Sequence, residues 1–299
     1  MHDRIAPVFY DRLPSAVQKN KLFEVSDPLL ENIYNHNYDT FSFMTELLER
    51  GGPLGESLSD MEVNSVEYIN KYNGSNCAGL AQKLASDLRA NNDIDSIVIP
   101  SFGEISPMDT ESSYAGVKTT ALLVNDDQNR RYILDPALAI EAAIPVLDSE
   151  TMGSKGVYAL SSSESSQLRL MLPSASGLRE MHFEQTSLEN PDESMQKNWL
   201  RSRTKYKICR RYPDGEKDFI TYEFAADRFK VNIGAVGIRL CLLSPSEMGG
   251  LIDEYDDKII DVFRNDLIVN GMNRFIANRQ AIVEDLLIPQ IRKGVTWST

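Results

Sequence analysis

Histidine and cysteine are scarce in this chain. His2, His36 and His182, with Cys77, Cys209 and Cys241, are all that 299 residues supply. Scattered in this way they make no zinc set, no CxxC pair and no disulfide framework. No apolar run approaches the ~20 residues that cross a bilayer. Met1-His2-Asp3-Arg4 lacks the apolar core of a signal peptide. Positive charge is also short: the formal net charge is −13, which repels nucleic acid phosphates and anionic membranes. The expectation is a protein of the reducing cytoplasm, with no metal, no nucleic acid partner and no membrane partner. Its oligomeric state stays open.

What is present is a run of small and polar residues that ends in a thiol. Asn73-Gly74-Ser75-Asn76-Cys77-Ala78-Gly79-Leu80-Ala81 reads as a loop opening directly into a helix, whose apolar face is Leu80, Ala81, Leu84, Ala85 and Leu88. The first turn of a helix has unpaired N–H groups and favours negative charge. The thiolate is the reactive form of a cysteine, and N–H groups around it can hold an oxyanion. Cys77 is therefore the leading candidate nucleophile. The plainer alternative is a buried structural cysteine.

Along the rest of the chain, apolar spacing predicts one helix from Pro28 to Leu48, with Asp27 as N-cap, Pro28 at N1 and Gly51-Gly52-Pro53 as its stop. A short helix is expected over 65–72. Strands are expected over 96–100, 119–124 and 131–134, the last two as a hairpin ending at Asp135-Pro136. The stretches 101–116 and 148–176, rich in Ser and Gly, read as loop and long connection. Strands then follow over 181–184, 199–211, 218–224 and 236–242, with a turn at Pro213-Asp214-Gly215. Helices are expected over 246–255, 258–270 and 274–287. The expected divisions are 1–72 helical, 73–147 core, 148–176 connection, 177–245 β-rich and 246–299 helical.

The order of helix with Cys at its start, strand, strand, turn and strand ending in Asp-Pro resembles the papain-like acyl-transfer superfamily, in its arylamine N-acetyltransferase and transglutaminase-like branch. The residues that carry the resemblance are Asn76 to Ala81, Thr119 to Val124, and Ile133-Leu134-Asp135-Pro136. It covers roughly 74–146. The resemblance implies an α+β fold with a Cys-bearing central helix on an antiparallel sheet, a β-barrel-like segment and a helical C-terminal extension. It also implies a covalent Cys77 intermediate, with Asp135 orienting the catalytic base. An acyl thioester, on coenzyme A or on a carrier protein, would be the co-substrate, with no bound cofactor. The acceptor would be a small-molecule amine or hydroxyl, as in amide-forming biosynthesis.

One position departs from the pattern. The family's histidine falls on Thr119 or Thr120, and neither can take a proton from a thiol near neutral pH. His36, His182 or the cation of Lys118 would have to substitute, and Asn76 would serve the oxyanion. The competing expectation is a repurposed or non-catalytic homologue that binds a small molecule, or works without a covalent step, with Thr119 or Thr120 as hydrogen-bond donor.

Arg201, Arg203, Lys205 and Lys207 alternate, which on a strand puts all four on one face, with Arg210 and Arg211 extending the patch. This is either an anion site or, as favoured here, a solvated face paired with carboxylates. Val231 to Gly237 lacks the GxGxxG order, and Asp253 to Asp257 lacks EF-hand spacing.

Overall fold

The computed structural model describes residues 22–54, 56–57, 64–101, 119–125, 129–141, 143–147, 158–161, 167–174, 177–185 and 205–287. The chain divides into two compact units, Met1–Ile33 with Leu80–Pro191, and Tyr34–Gly79 with Asp192–Thr299. The architecture is mixed α+β.

The first unit is built on a closed barrel of β3 (Ser96–Ser101), β4 (Thr119–Asn125), β5 (Arg131–Leu134), β6 (Ile144–Leu147), β7 (Tyr158–Ser161), β8 (Gln167–Ser174) and β9 (Gly177–Glu184). All neighbours are antiparallel except β6 and β7, and the barrel closes through Ser101 of β3 opposite Phe183 of β9. Period-two alternation sends Ile99, Ala121, Leu123, Ile133, Leu168, Leu170, Met181 and Phe183 into one mainly aliphatic core. On β4 and β5 the outer face is buried too: Leu122, Val124, Tyr132 and Leu134 are all 5 % exposed or less. This explains why β4 reads as an unbroken apolar run instead of an alternating one. The apolar stripe of helix α4 (Cys77–Asn92) is likewise buried, and helix α1 (Leu22–Asn35) is tied to it by Asn32 Nδ2, which donates to the Leu80 carbonyl at 3.3 Å.

The second unit is an open sheet in the order β13-β12-β11-β10-β1-β2. Its strands are β1 (Asn37–Asp39), β2 (Gly74–Ser75), β10 (Lys205–Arg211), β11 (Lys217–Glu223), β12 (Arg228–Ile233) and β13 (Ile238–Leu243). Helices α2 (Phe41–Arg50), α3 (Ser65–Tyr72), α5 (Pro245–Phe263) and α6 (Ile268–Ile282) belong to the same unit. Its core is rich in aromatic rings. The Phe275 ring meets Phe41 edge-on at 5.1 Å and Tyr222 at 5.1 Å, and Tyr222 meets Phe229 at 4.8 Å. Helix α5 starts as its Ser-Pro-Ser-Glu run dictates: Ser244 Oγ accepts from the Glu247 N–H, and the Glu247 carboxylate accepts from the Ser244 N–H at 2.7 Å.

Several expectations need correction. The single helix over 28–48 is two helices with β1 between them, and Pro28 sits inside α1, not at its start. The interruption is tertiary. Tyr38 pairs with Cys209 on one side and Ser75 on the other, and the Asp39 carboxylate accepts from the N–H groups of Phe41 and Ser42 to begin α2. The stretch 148–176 contains β7 and all of β8, both barrel strands, and the closed barrel spans 96–184 while four strands of the open sheet lie in 205–243. At the C-terminus, the expected breaks fall at a non-helical Tyr255 (φ −131°) inside α5 and nowhere in α6, which runs through Gly271. The expectations for 102–118 and 199–204 lie outside the described residues.

Candidate functional site

The loop before Cys77 is fixed by its own backbone. Helix α3 ends at Asn73, whose left-handed φ of 51° turns the chain. The Asn73 carbonyl accepts from the Asn37 N–H at 2.8 Å, and Gly74 and Ser75 run parallel to Asn37 and Tyr38. A side chain at Gly74 would stand 2.8 Å from the Asn37 carbonyl oxygen and 2.9 Å from the Cβ atoms of Asn37 and Asp39. Only glycine fits that approach. Asn76 then caps α4, its Oδ1 accepting from the N–H groups of Ala78 at 3.0 Å and Gly79 at 3.1 Å. Cys77 follows as the first helical residue and is 2 % exposed. Asn76 therefore acts as the cap of the helix that presents the thiol, and its carbonyl-type oxygen is committed to that task.

His36 belongs to the same unit and is half-buried. Its Nδ1 lies 3.3 Å from Asn73 Oδ1. The Asn73 amide is oriented by its Nδ2, which donates to the Phe263 carbonyl at 3.5 Å, so its oxygen is the end that faces the ring. An oxygen there accepts from Nδ1–H in the tautomer that carries its proton on that nitrogen. Asn37 Nδ2 donates to the same Phe263 carbonyl at 2.6 Å and pins the other side of the loop.

Thr119, Thr120, Asp135 and His182 belong to the barrel unit. Thr119 shares the inner face of β4 with Ala121 and Leu123, whereas Thr120 lies on the outer face with Leu122 and Val124. Thr120 is fully buried, and its hydroxyl has no hydrogen-bond partner among the described residues. Asp135 follows Leu134, the β5 residue opposite Leu122. It is fully buried, and its Oδ1 accepts from the Leu138 N–H at 2.9 Å, closing the turn after β5. His182 lies between Met181 and Phe183, both in the barrel core, so alternation turns it to the outer face, opposite Arg169 of β8. Between β9 and β4 stands β3, which puts His182 about 10 Å from Thr120 across the sheet. Lys118 lies outside the described residues.

Two features were not read from the sequence. Ser75 is fully buried two residues before the thiol, and its hydroxyl has no partner among the described residues. Asn73 holds His36. The signal available was Asn-Gly-Ser-Asn itself, two amides around two small residues. Among the described residues no group of three or more His, Cys, Asp or Glu side chains is placed to hold a metal, and no helix is long and apolar enough to cross a membrane.

No protein-family model matches the sequence, and no curated protein matches it. Solved structures do. The arylamine N-acetyltransferases of Mycobacterium smegmatis and Mycobacterium marinum each align with 89 % of this chain and 93 % of their own at a TM-score of 0.54 and 11 % identity. That of Salmonella typhimurium aligns with 83 % of this chain and 89 % of its own at 0.52 and 13 %. The chain has the arylamine N-acetyltransferase fold, in a sequence that has diverged far from those proteins.

Proposed function

We propose that the protein is an acyltransferase in which Cys77 carries the acyl group. The observation that supports this most directly is the capped helix start that presents the thiol within this fold. The Cys77 thiolate attacks the carbonyl of an acyl thioester, and a sulfur–carbon bond forms. The tetrahedral oxyanion collapses, the donor's thiol leaves with a proton from the imidazolium, and the acyl group stays on Cys77. An acceptor amine or hydroxyl then attacks, gives its proton to the imidazole, and departs acylated as the Cys77 thiolate is released. An amine acceptor gives an amide, the bond expected in small-molecule biosynthesis. We assign the base to His36, which shares the unit of Cys77 and lies against Asn73 in the loop that leads to it. Asp135 is the carboxylate that the resemblance nominates as an orienting group, and Asp135→Asn tests it. The three free thiols suit the cytoplasm.

The test is turnover of acetyl- and longer acyl-coenzyme A with aromatic amines. Cys77→Ala should lower kcat by ~10³-fold or more, and His36→Gln by about 10²-fold, with loss of the basic limb of the pH profile. A Cys77→Ala protein with full activity would end the covalent mechanism.

A second reading rests on Thr120, a buried hydroxyl at one of the two positions where the family's imidazole would fall. In a repurposed cleft it hydrogen-bonds a bound small molecule and no acyl-enzyme forms. Thr120→Val would then abolish binding, and Cys77→Ala would not.

A further inference from the structure

The outer face of the open sheet carries an unusual concentration of cations for a chain of net charge −13. Alternation and register place Lys205, Lys207 and Arg211 of β10, Lys217 of β11, and Arg228 and Lys230 of β12 on the side away from the aromatic core. The one carboxylate that these strands add to the face is Glu223, which pairs with Lys205 at 3.2 Å. Lys207, Lys217 and Lys230 have no carboxylate partner among the described residues. The Lys207 ammonium lies 5.5 Å from the Phe219 ring centre, and burial together with the nearby cations holds it below the usual lysine range. Arg210, expected in this patch, points to the other face and donates to the Asn35 carbonyl.

The size of the patch separates possible ligands. Its exposed cations are Lys205, Lys217, Arg228 and Lys230, whereas Cys209, Phe219 and Asn232 of the same face are buried; from Lys205 and Arg228 at one end to Lys217 at the other is about 20 Å along the strands, and from β10 to β12 about 10 Å across them. A diphosphate would cover a small part of it. The edge strand β13 continues the sheet with Leu242, opposite Lys230 and 60 % exposed, and with Leu240, 65 % exposed. Four exposed cations beside exposed leucines suit a protein surface of acidic and apolar side chains. The same sheet ends at β2, whose Ser75 stands two residues before Cys77. Four strand steps from β12 to β2 make about 19 Å, a span that an extended phosphopantetheine arm covers.

We propose that this face docks an acidic carrier protein, which brings the acyl group as a thioester on its phosphopantetheine arm. The proposal rests on the acyltransferase reading for what the carrier delivers. Docking itself is measurable without turnover. The experiment uses the full-length Cys77→Ala protein and an acidic bacterial holo acyl carrier protein as probe, with binding followed by calorimetry. Binding should weaken as salt is raised. Lys217→Glu with Lys230→Glu should weaken it by about tenfold or more. Lys258→Glu, on the exposed side of α5, should leave it unchanged. Absence of binding, or binding indifferent to the paired reversal, overturns the proposal. So does a reversal that weakens free coenzyme A and spares the carrier, since the face would then be a small-anion site. Charge-dependent docking with no acyl group ever found on Cys77 upholds the docking surface and removes the acyltransferase reading.

Discussion

The barrel and the open sheet solve the edge problem of β-structure in opposite ways, and function follows the difference. The barrel pairs every strand, buries both faces of β4 and β5, and fills its interior mainly with aliphatic side chains. Its polar candidates, Thr120 and Asp135, are buried groups in a closed frame. The open sheet buries one face against helices through aromatic rings and exposes Leu240 and Leu242 on its edge strand. Cys77, the proposed nucleophile, belongs to this second unit. It is placed by backbone pairing and two asparagines, not by a packed hydrocarbon wall.

The sharpest way to test the aromatic half is Phe275→Ala. The ring touches both the sheet and α2, so the variant should lose about 4 kcal/mol in urea unfolding, against about 3 kcal/mol for Leu170→Ala in the barrel. Equal losses would remove the distinction between the two cores.

Asp39 comes next. Burial, only partly offset by the N–H groups and the Ser42 hydroxyl that it accepts from, raises its carboxyl from 3.8 to about 6. A raised acid is a stabilising contribution present below the unfolded value and lost as pH rises through the folded one. The wild type should therefore lose on the order of 3 kcal/mol relative to Asp39→Asn between pH 4 and 7. Parallel stability curves for the two proteins would contradict the burial of a charge at the start of α2.

Gly74→Ala should cost about 2 kcal/mol from overpacking and reduce turnover further than it reduces stability, because it moves the loop that carries the thiol. Asn76→Ala is the mildest change, about 1 kcal/mol for a lost cap. If it left activity untouched, the capped helix start would be scaffolding only.

Local chemistry was legible in the sequence where the element carries its own reasons. The thiol at a helix start, the hairpin ending at Asp135-Pro136, the Pro-Asp-Gly turn with Gly215 at φ +85°, and the helical tail all follow from spacing and turn residues. What did not show was set at a distance. Three residues from Asn37 to Asp39 interrupt a helical pattern because β10 and β2 pair with them. Serine-rich composition hid β7 and β8, whose partners are each other and the rest of the barrel. Thr119 and Thr120 were inseparable until the barrel fixed which face of β4 is inside. Arg210 looked like part of the basic stripe until alternation turned it inward.

The most direct measurement is mass spectrometry of the protein after brief exposure to an acyl thioester. The account predicts one acyl group on the peptide containing Cys77, discharged by an amine, despite the burial of that thiol. An adduct confined to the exposed Cys241, with none on Cys77, would contradict it.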